Sequence, residues 1–342
     1  MPWRVFSIEY FVPPGGQKGA GMIGRRGKWL LFLYVLFLVV LFLMCSTDLI
    51  IREPEREIYQ IAVIIEDVRG DNYGNFRKGM EQAAAELNAD VHFITLYEQS
   101  DVRQQLELME REKQDGADAL IVVPVDERQM AEKQMGIPVI FLHSGRTEST
   151  GSGSIVIDYK KMGEELAQEM SKGLEKSSPV LILTDPQKQN SADRYFLDGA
   201  ETVLMSGGYS VQKIPKDEEG GFGALVQLPE TEQEERPVLL AQNTEILTAM
   251  AGILSESPEA AKRVRGLYGR GSTLSVLNYL DRGQITGICV TDEFSIGYFS
   301  VSAAVRALEG DVVQNPVIMD SYYIEKEDVR EPDYEKMLFP IE

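Results

Sequence analysis

The chain has 342 residues, 54 of them acidic and 34 basic, for a net charge of −20 and a pI near 4.6. A surface so acidic repels polyanions, so no nucleic-acid partner is expected. Cys45 lies in an apolar run near the N-terminus and Cys289 in an apolar segment far downstream, which excludes a disulfide within the folded part.

From the N-terminus, the first distinctive element is Trp29 to Thr47, without a charged residue. At about 1.5 Å per helical residue it is just long enough for the roughly 30 Å hydrocarbon layer of a bilayer. Arg25, Arg26 and Lys28 precede it, whereas Asp48, Glu53 and Glu55 follow it. The positive-inside bias thus predicts cytoplasmic residues 1–28, a transmembrane anchor over 29–47, a tether over 48–57 and an extracytoplasmic domain over 58–342, on a single-pass protein of the cell membrane. A cleaved signal peptide competes with the anchor, because the basic stretch suits a signal n-region and Met22 could be the start. The apolar run nevertheless exceeds a usual signal core and ends without a small-x-small site. Cys45 as a lipid-attachment site fits poorly, with Met44 before it where a small residue is needed.

Beyond Ile58, short β-branched runs alternate with amphipathic stretches. Ile58 to Ile65, Val91 to Leu96, Ala119 to Val123, Val139 to Leu142, Ser154 to Ile157, Val180 to Leu183, Val238 to Leu240 and Gln284 to Val290 are predicted as strands. Asn75 to Leu87, Val102 to Asp115, Lys160 to Lys172, Ala192 to Met205, Thr244 to Ser255, Thr273 to Leu280 and Ile296 to Glu309 are predicted as helices. Such alternation needs crossover connections and gives an α/β fold with parallel sheets covered by helices; eight strands suit two sheets better than one. Ligands in open α/β sheets lie at the carboxyl ends of strands. This directs attention to the loops at Asp67 to Gly74, Val125 to Glu127, Asp185 to Asp193 and Thr291 to Glu293.

With those loops identified, four stretches resemble the type 1 periplasmic binding proteins, the ribose- and galactose-binding group whose fold also forms the effector core of lactose-repressor-like regulators. They are Ile61 to Gly79, Ala117 to Asp126 with Gly136 to Ile140, Arg194 with Gly199, and Leu280 to Val301. The resemblance spans about residues 58 to 325. It implies two Rossmann-like lobes joined by three crossovers, lobe one over about 58–144 and 292–320 and lobe two over about 146–290 and 321–342. The crossovers would fall near Ser144, Thr291 and Asp320. The DNA-binding headpiece of the repressors is replaced here by the apolar segment.

The resemblance also implies roles for single residues. Asn72 and Tyr73 fall on the first binding loop, Asp126 where a carboxylate accepts from sugar hydroxyls, Arg194 where a guanidinium donates to them, and Asn243 on an amide ligand. Each has a structural alternative: Asp126 as a helix cap, Arg194 as a surface arginine, Asn72 as a turn residue. Asp158 is expected to cap the helix at Lys160. The family's late ligand aspartate falls near Gly271 or Ser272, neither acidic, and its hinge glutamine at Thr291; Asp292 and Glu293 are the candidates to substitute.

No catalytic constellation accompanies His92 and His143, and neither a phosphate loop nor a metal-ligand spacing is present, so no enzyme activity and no cofactor are expected. Together these features predict a membrane-tethered receptor that captures a small polar ligand, a sugar or related polyol, for an ABC permease. The alternative is a sensor of the same fold that signals to a membrane histidine kinase without transport.

Overall fold

The computed structural model describes residues 25–46, 58–65, 73–96, 101–126, 129–130, 134–143, 152–176, 178–187, 190–217, 221–222, 232, 235–311 and 316–340. The chain divides into the units Met1–Arg56 and Glu57–Glu342. In the first, helix α1 (Arg25–Ser46) is long and apolar enough, by length and composition, to cross a membrane. It starts four residues before the predicted span, because Arg25 to Lys28 continue the helix.

The second unit holds two six-stranded sheets. Its elements in chain order are β1 (Tyr59–Ile65), α2 (Gly74–Leu87), β2 (Ala89–Thr95), α3 (Val102–Gln114), β3 (Ala119–Val122), β4 (Val139–His143), β5 (Gly153–Ile157), α4 (Tyr159–Lys172), β6 (Val180–Thr184), α5 (Ser191–Ser206) and β7 (Val211–Pro215). There follow β8 (Val238–Ala241), α6 (Thr244–Glu256), α7 (Pro258–Lys262), β9 (Gly266–Arg270), α8 (Leu274–Asp281), β10 (Gly287–Thr291), α9 (Glu293–Leu308), β11 (Val317–Met319), β12 (Ser321–Glu325) and α10 (Pro332–Leu338). The strand orders are β11-β5-β4-β3-β1-β2 and β12-β10-β9-β8-β6-β7. All pairings are parallel except β12 on β10.

Besides the central β9, three strands were not in the predicted set, β7, β11 and β12. They are short edge strands, half exposed, and lack the continuous apolar character that marks β3, β6 and β8. Strand β5 pairs with β4 in the first sheet, so the first crossover follows Ile157 rather than lying near Ser144, and residues 153–157 move from lobe two to lobe one. Ile157 packs against the cores on both sides of that boundary.

Chain direction decides where a site can form. Strand β5 leaves the first sheet, and β10 the second, from its carboxyl end; β11 ends at Met319 and β12 begins at Ser321, paired with Thr291 at the end of β10. The three crossovers, at Asp158, Asp292 and Asp320, therefore gather the carboxyl ends of both sheets on one side of each. Asp158 and Asp292 also cap the helices they introduce, accepting from Lys161 N and Ser295 N at 3.0 Å.

Each lobe is locked by two helices in unusually close contact. A Cβ on Gly79 would lie 1.9 Å from the Phe294 carbonyl oxygen, and one on Gly297 2.0 Å from that of Phe76, so α2 and α9 touch backbone to backbone. The pair Gly163 and Gly199 does the same for α4 and α5, at 2.0 Å from the Phe196 and Lys160 oxygens. Two residues singled out by resemblance, Gly79 and Gly199, thus serve packing.

Candidate functional site

In the second sheet the ends of β8 and β9 converge on Asp193, a side chain only 2% exposed in the first turn of α5, and the end of β6 joins them through Gln242. Its Oδ1 receives Arg270 Nη2 at 2.5 Å, and its Oδ2 receives Gln242 Nε2 and Asn243 Nδ2, each at 3.0 Å. Gln242 Oε1 in turn accepts from Asp185 N at 3.0 Å, tying the ends of β6 and β8 together. Asn243 also caps α6 through Ile246 N at 3.0 Å. A buried carboxylate is tolerable here because three donors, one of them cationic, replace its hydration.

Arg270 closes β9 with its guanidinium carbon 4.7 Å from the Tyr159 ring centre and 5.5 Å from that of Phe196. These ring contacts help to orient the guanidinium, whose buried Nε has no hydrogen-bond partner among the described residues. The following Gly271, at φ +118°, brings the chain back onto α6, where Thr244 Oγ1 bonds the Arg270 carbonyl at 3.1 Å. A side chain at Gly271 would collide with Thr244.

Two further groups sit on the crossovers themselves. Tyr159 opens α4, and burial pushes its hydroxyl up to about 12, against the pull of Arg270. Glu293 opens α9; burial pushes its carboxyl up to about 7, offset by the Thr291 hydroxyl, which donates to it at 2.8 Å, and by Arg270. Tyr159, Arg270 and Glu293 all remain partly accessible, so the cluster borders open space at the crossovers.

In the first sheet, the buried Gln105 clamps the loop after β3, donating to Val123 O at 2.8 Å and accepting from Val125 N at 2.9 Å. That clamp sets the position of Asp126, whose Oδ1 accepts from Gln129 N at 3.0 Å in a capping geometry. Tyr73 stands at the start of α2, edge-on to Phe76 at 5.9 Å.

The residues expected from the sequence are therefore spread unequally. Asn243 and Asp292 lie at the strand ends flanking the cluster, with Asp292 engaged by Ser295 N and Oγ. Tyr73 and Asp126 lie at the corresponding ends of the first sheet, and Asn72 lies outside the described residues. Arg194 is exposed, 5.5 Å from the Tyr195 ring, with a 3.4 Å contact to Ser191 Oγ, and does not join Asn243. Sequence reasoning missed Asp193 and Arg270. Arg270 carried a usable signal, a cation closing an apolar strand, but Gly266 to Arg270 contains two glycines and was not recognised as a strand from its pattern.

A family model described as periplasmic binding protein domain matches residues 61–311. A search of curated proteins finds no significant match. Among solved structures, the chain is similar to a carbohydrate-transporter solute-binding protein from Agrobacterium radiobacter in complex with D-arabinose. The two are 17% identical with a TM-score of 0.70, over 83% of this chain and 99% of that one. An ABC-transporter solute-binding protein from Bacillus halodurans with bound myo-inositol is 19% identical, TM-score 0.68, over 82% and 98%. A third, from Agrobacterium vitis with bound α-D-tagatopyranose, is 18% identical, TM-score 0.68, over 82% and 98%. At these identities the likeness establishes the two-lobed fold.

Proposed function

Since the chain belongs to the periplasmic binding protein domain family, we propose that it is a membrane-anchored, extracytoplasmic solute-binding protein that captures a small hydroxylated ligand, a sugar or related polyol, for an ABC importer. The observation that carries this reading is the Asp193–Arg270–Asn243 cluster at the carboxyl ends of β8 and β9 beside two crossovers. The guanidinium charge is already matched by Asp193, so the cluster is suited to a neutral hydroxylated ligand rather than an anion. Tyr73, Asp126, Asn72 and Asp292 would supply the remaining contacts, and Arg194 would reach the ligand only from the rim. The bound sugars and inositol of the structural neighbours support the ligand class. Helix α1 supports the anchor.

One observation favours the alternative, a sensor that reports occupancy to a membrane histidine kinase and transports nothing. The position expected to hold a ligand carboxylate after β9 is occupied by the Arg270–Gly271 turn, so the site departs from an ordinary sugar pocket. A thermal-shift screen of monosaccharides, inositols and nucleosides tests the shared premise, with Arg270→Ala as control. A hit abolished by Arg270→Ala is expected; a hit unaffected by it would remove this cluster from the site. Uptake of that ligand in cells lacking the gene then separates importer from sensor.

A further inference from the structure

Away from the crossovers, a hydrogen bond joins the two lobes. Asn75, the second residue of α2 in lobe one, donates from Nδ2 to the carbonyl oxygen of Leu338, the last residue of α10 in lobe two, at 2.9 Å in a partly buried setting. The acceptor is fastened to its own lobe. Leu338 is 2% exposed within the core that β8, β9 and β10 share with α6 and α8, and Tyr334 and Met337 pack against that core. The Tyr334 ring also stands edge-on to Tyr322 of β12, 6.1 Å away and just past the crossover at Asp320. A helix of seven residues is marginal by itself, so this packing holds it in place. Its last carbonyls have no partner within the helix, and Asn75 supplies one from the other lobe. The donor is fixed as firmly, because α2 touches α9 backbone to backbone at Gly79 and Gly297, and α9 begins at the crossover of Asp292.

Short crossovers can absorb a rotation, so they do not by themselves choose an angle between the lobes. We propose that Asn75 is a positioning residue of the candidate ligand site: through α10 it sets the lobe angle before ligand arrives, and with it the distance from Tyr73, which opens α2, to the Arg270 cluster. As far as ligand is concerned this rests on the binding reading above. A rotation that carries the start of α2 away from α10 breaks the bond and leaves an amide and a carbonyl to find other partners, so the arrangement with the bond intact is favoured. A cleft preset in this way gives up less freedom when ligand binds.

The lobe angle can be read without ligand. Nitroxide pairs placed on the full-length protein in detergent at exposed Ala85 of α2 and Ala249 of α6, after Cys45→Ser, report the interlobe distance by electron double resonance. Asn75→Ala removes the donor and should broaden the wild-type distribution. Asn75→Asp keeps the shape, and a carboxylate in the first turn of α2 favours that helix, but it sets an acceptor against the Leu338 carbonyl and should broaden the distribution further. If Asn75 served only to stabilise α2 or the end of α10, melting temperatures would move and distances would not. Distributions of both variants that superimpose on wild type would therefore overturn the proposal. For a ligand found by the screen, both variants should bind about 2- to 10-fold more weakly, and unchanged affinity would overturn the role at the site. A screen without hits would count against the binding reading, while the distances still decide whether Asn75 sets the lobes.

Discussion

Arg270 Nη2 lies 2.5 Å from Asp193 Oδ1, joining the end of β9 to the first turn of α5 between side chains 13% and 2% exposed. Removing one partner leaves the other buried and unmatched, so Asp193→Ala should cost about 3–5 kcal/mol of folding stability. The double variant Asp193→Ala/Arg270→Ala should lose clearly less than the sum of the single variants. Urea unfolding at pH 7 of all three checks this; additive losses would mean that the pair is not coupled.

The close helix contacts give an independent test of the fold. Gly79→Ala and Gly199→Ala each place a Cβ about 2 Å from a carbonyl oxygen of the facing helix, and backbone cannot yield as a side chain can. Each should destabilise by about 1–3 kcal/mol. Gly74→Ala, at the start of α2 with nothing within 4 Å, should be neutral or stabilise by about 0.4–1 kcal/mol through the unfolded state. Equal melting temperatures for Gly74→Ala and Gly79→Ala would contradict the backbone contact of α2 with α9.

These helices and the sheets they cover were legible because a doubly covered parallel sheet demands continuous apolar strands and a helical period between them, as in Ile61 to Ile65 and Met162 to Met170. The edge strands were not, since half-exposed segments such as Val211 to Pro215 carry no such pattern. At the site, Asp158 announced itself as a helix cap and is one. Asp193 and Arg270 could not be paired from sequence, because a separation of 77 positions hides a contact that only the β6-β8-β9 strand order creates. Arg194, adjacent to Asp193, is exposed because consecutive helical residues project about 100° apart, so that Asp193 faces inward and its neighbour does not.

That difference in exposure makes Arg194 and Arg270 separable. Arg194→Ala should change folding stability by less than about 0.5 kcal/mol, as for an exposed side chain. Arg270→Ala should weaken binding of a ligand found by the screen by about 1.5–3 kcal/mol, the range for a hydrogen bond to a charged group. Asp126→Ala should cost about 1 kcal/mol of stability through its lost cap, with any loss of affinity beyond that reporting a ligand contact. Calorimetry on the three variants decides; a larger affinity loss for Arg194→Ala than for Arg270→Ala would restore the role first read from the sequence.

If α1 is an uncleaved anchor, the protein should stay with the membrane fraction after a high-salt wash and be released by detergent, because burial of its apolar side chains and not charge would hold it there. A soluble product whose mature N-terminus lies between residues 44 and 50 would instead establish cleavage.

The last prediction concerns stability against pH. Glu293 has a folded-state value raised by burial to about 7 from 4.5, so the folded protein bears a penalty only when the group is ionised. That penalty is absent below the unfolded value, grows as pH rises toward the folded one and is constant above it. Glu293→Gln carries the neutral amide at every pH and escapes it. The variant should therefore melt with wild type near pH 4.5 and above wild type at pH 8, by no more than about 3 kcal/mol given that the side chain keeps some access to water. Comparing the two proteins cancels the titration of every other group, and a Glu293→Gln protein less stable than wild type at pH 8 would show that attraction to Arg270, and not burial, governs this carboxyl.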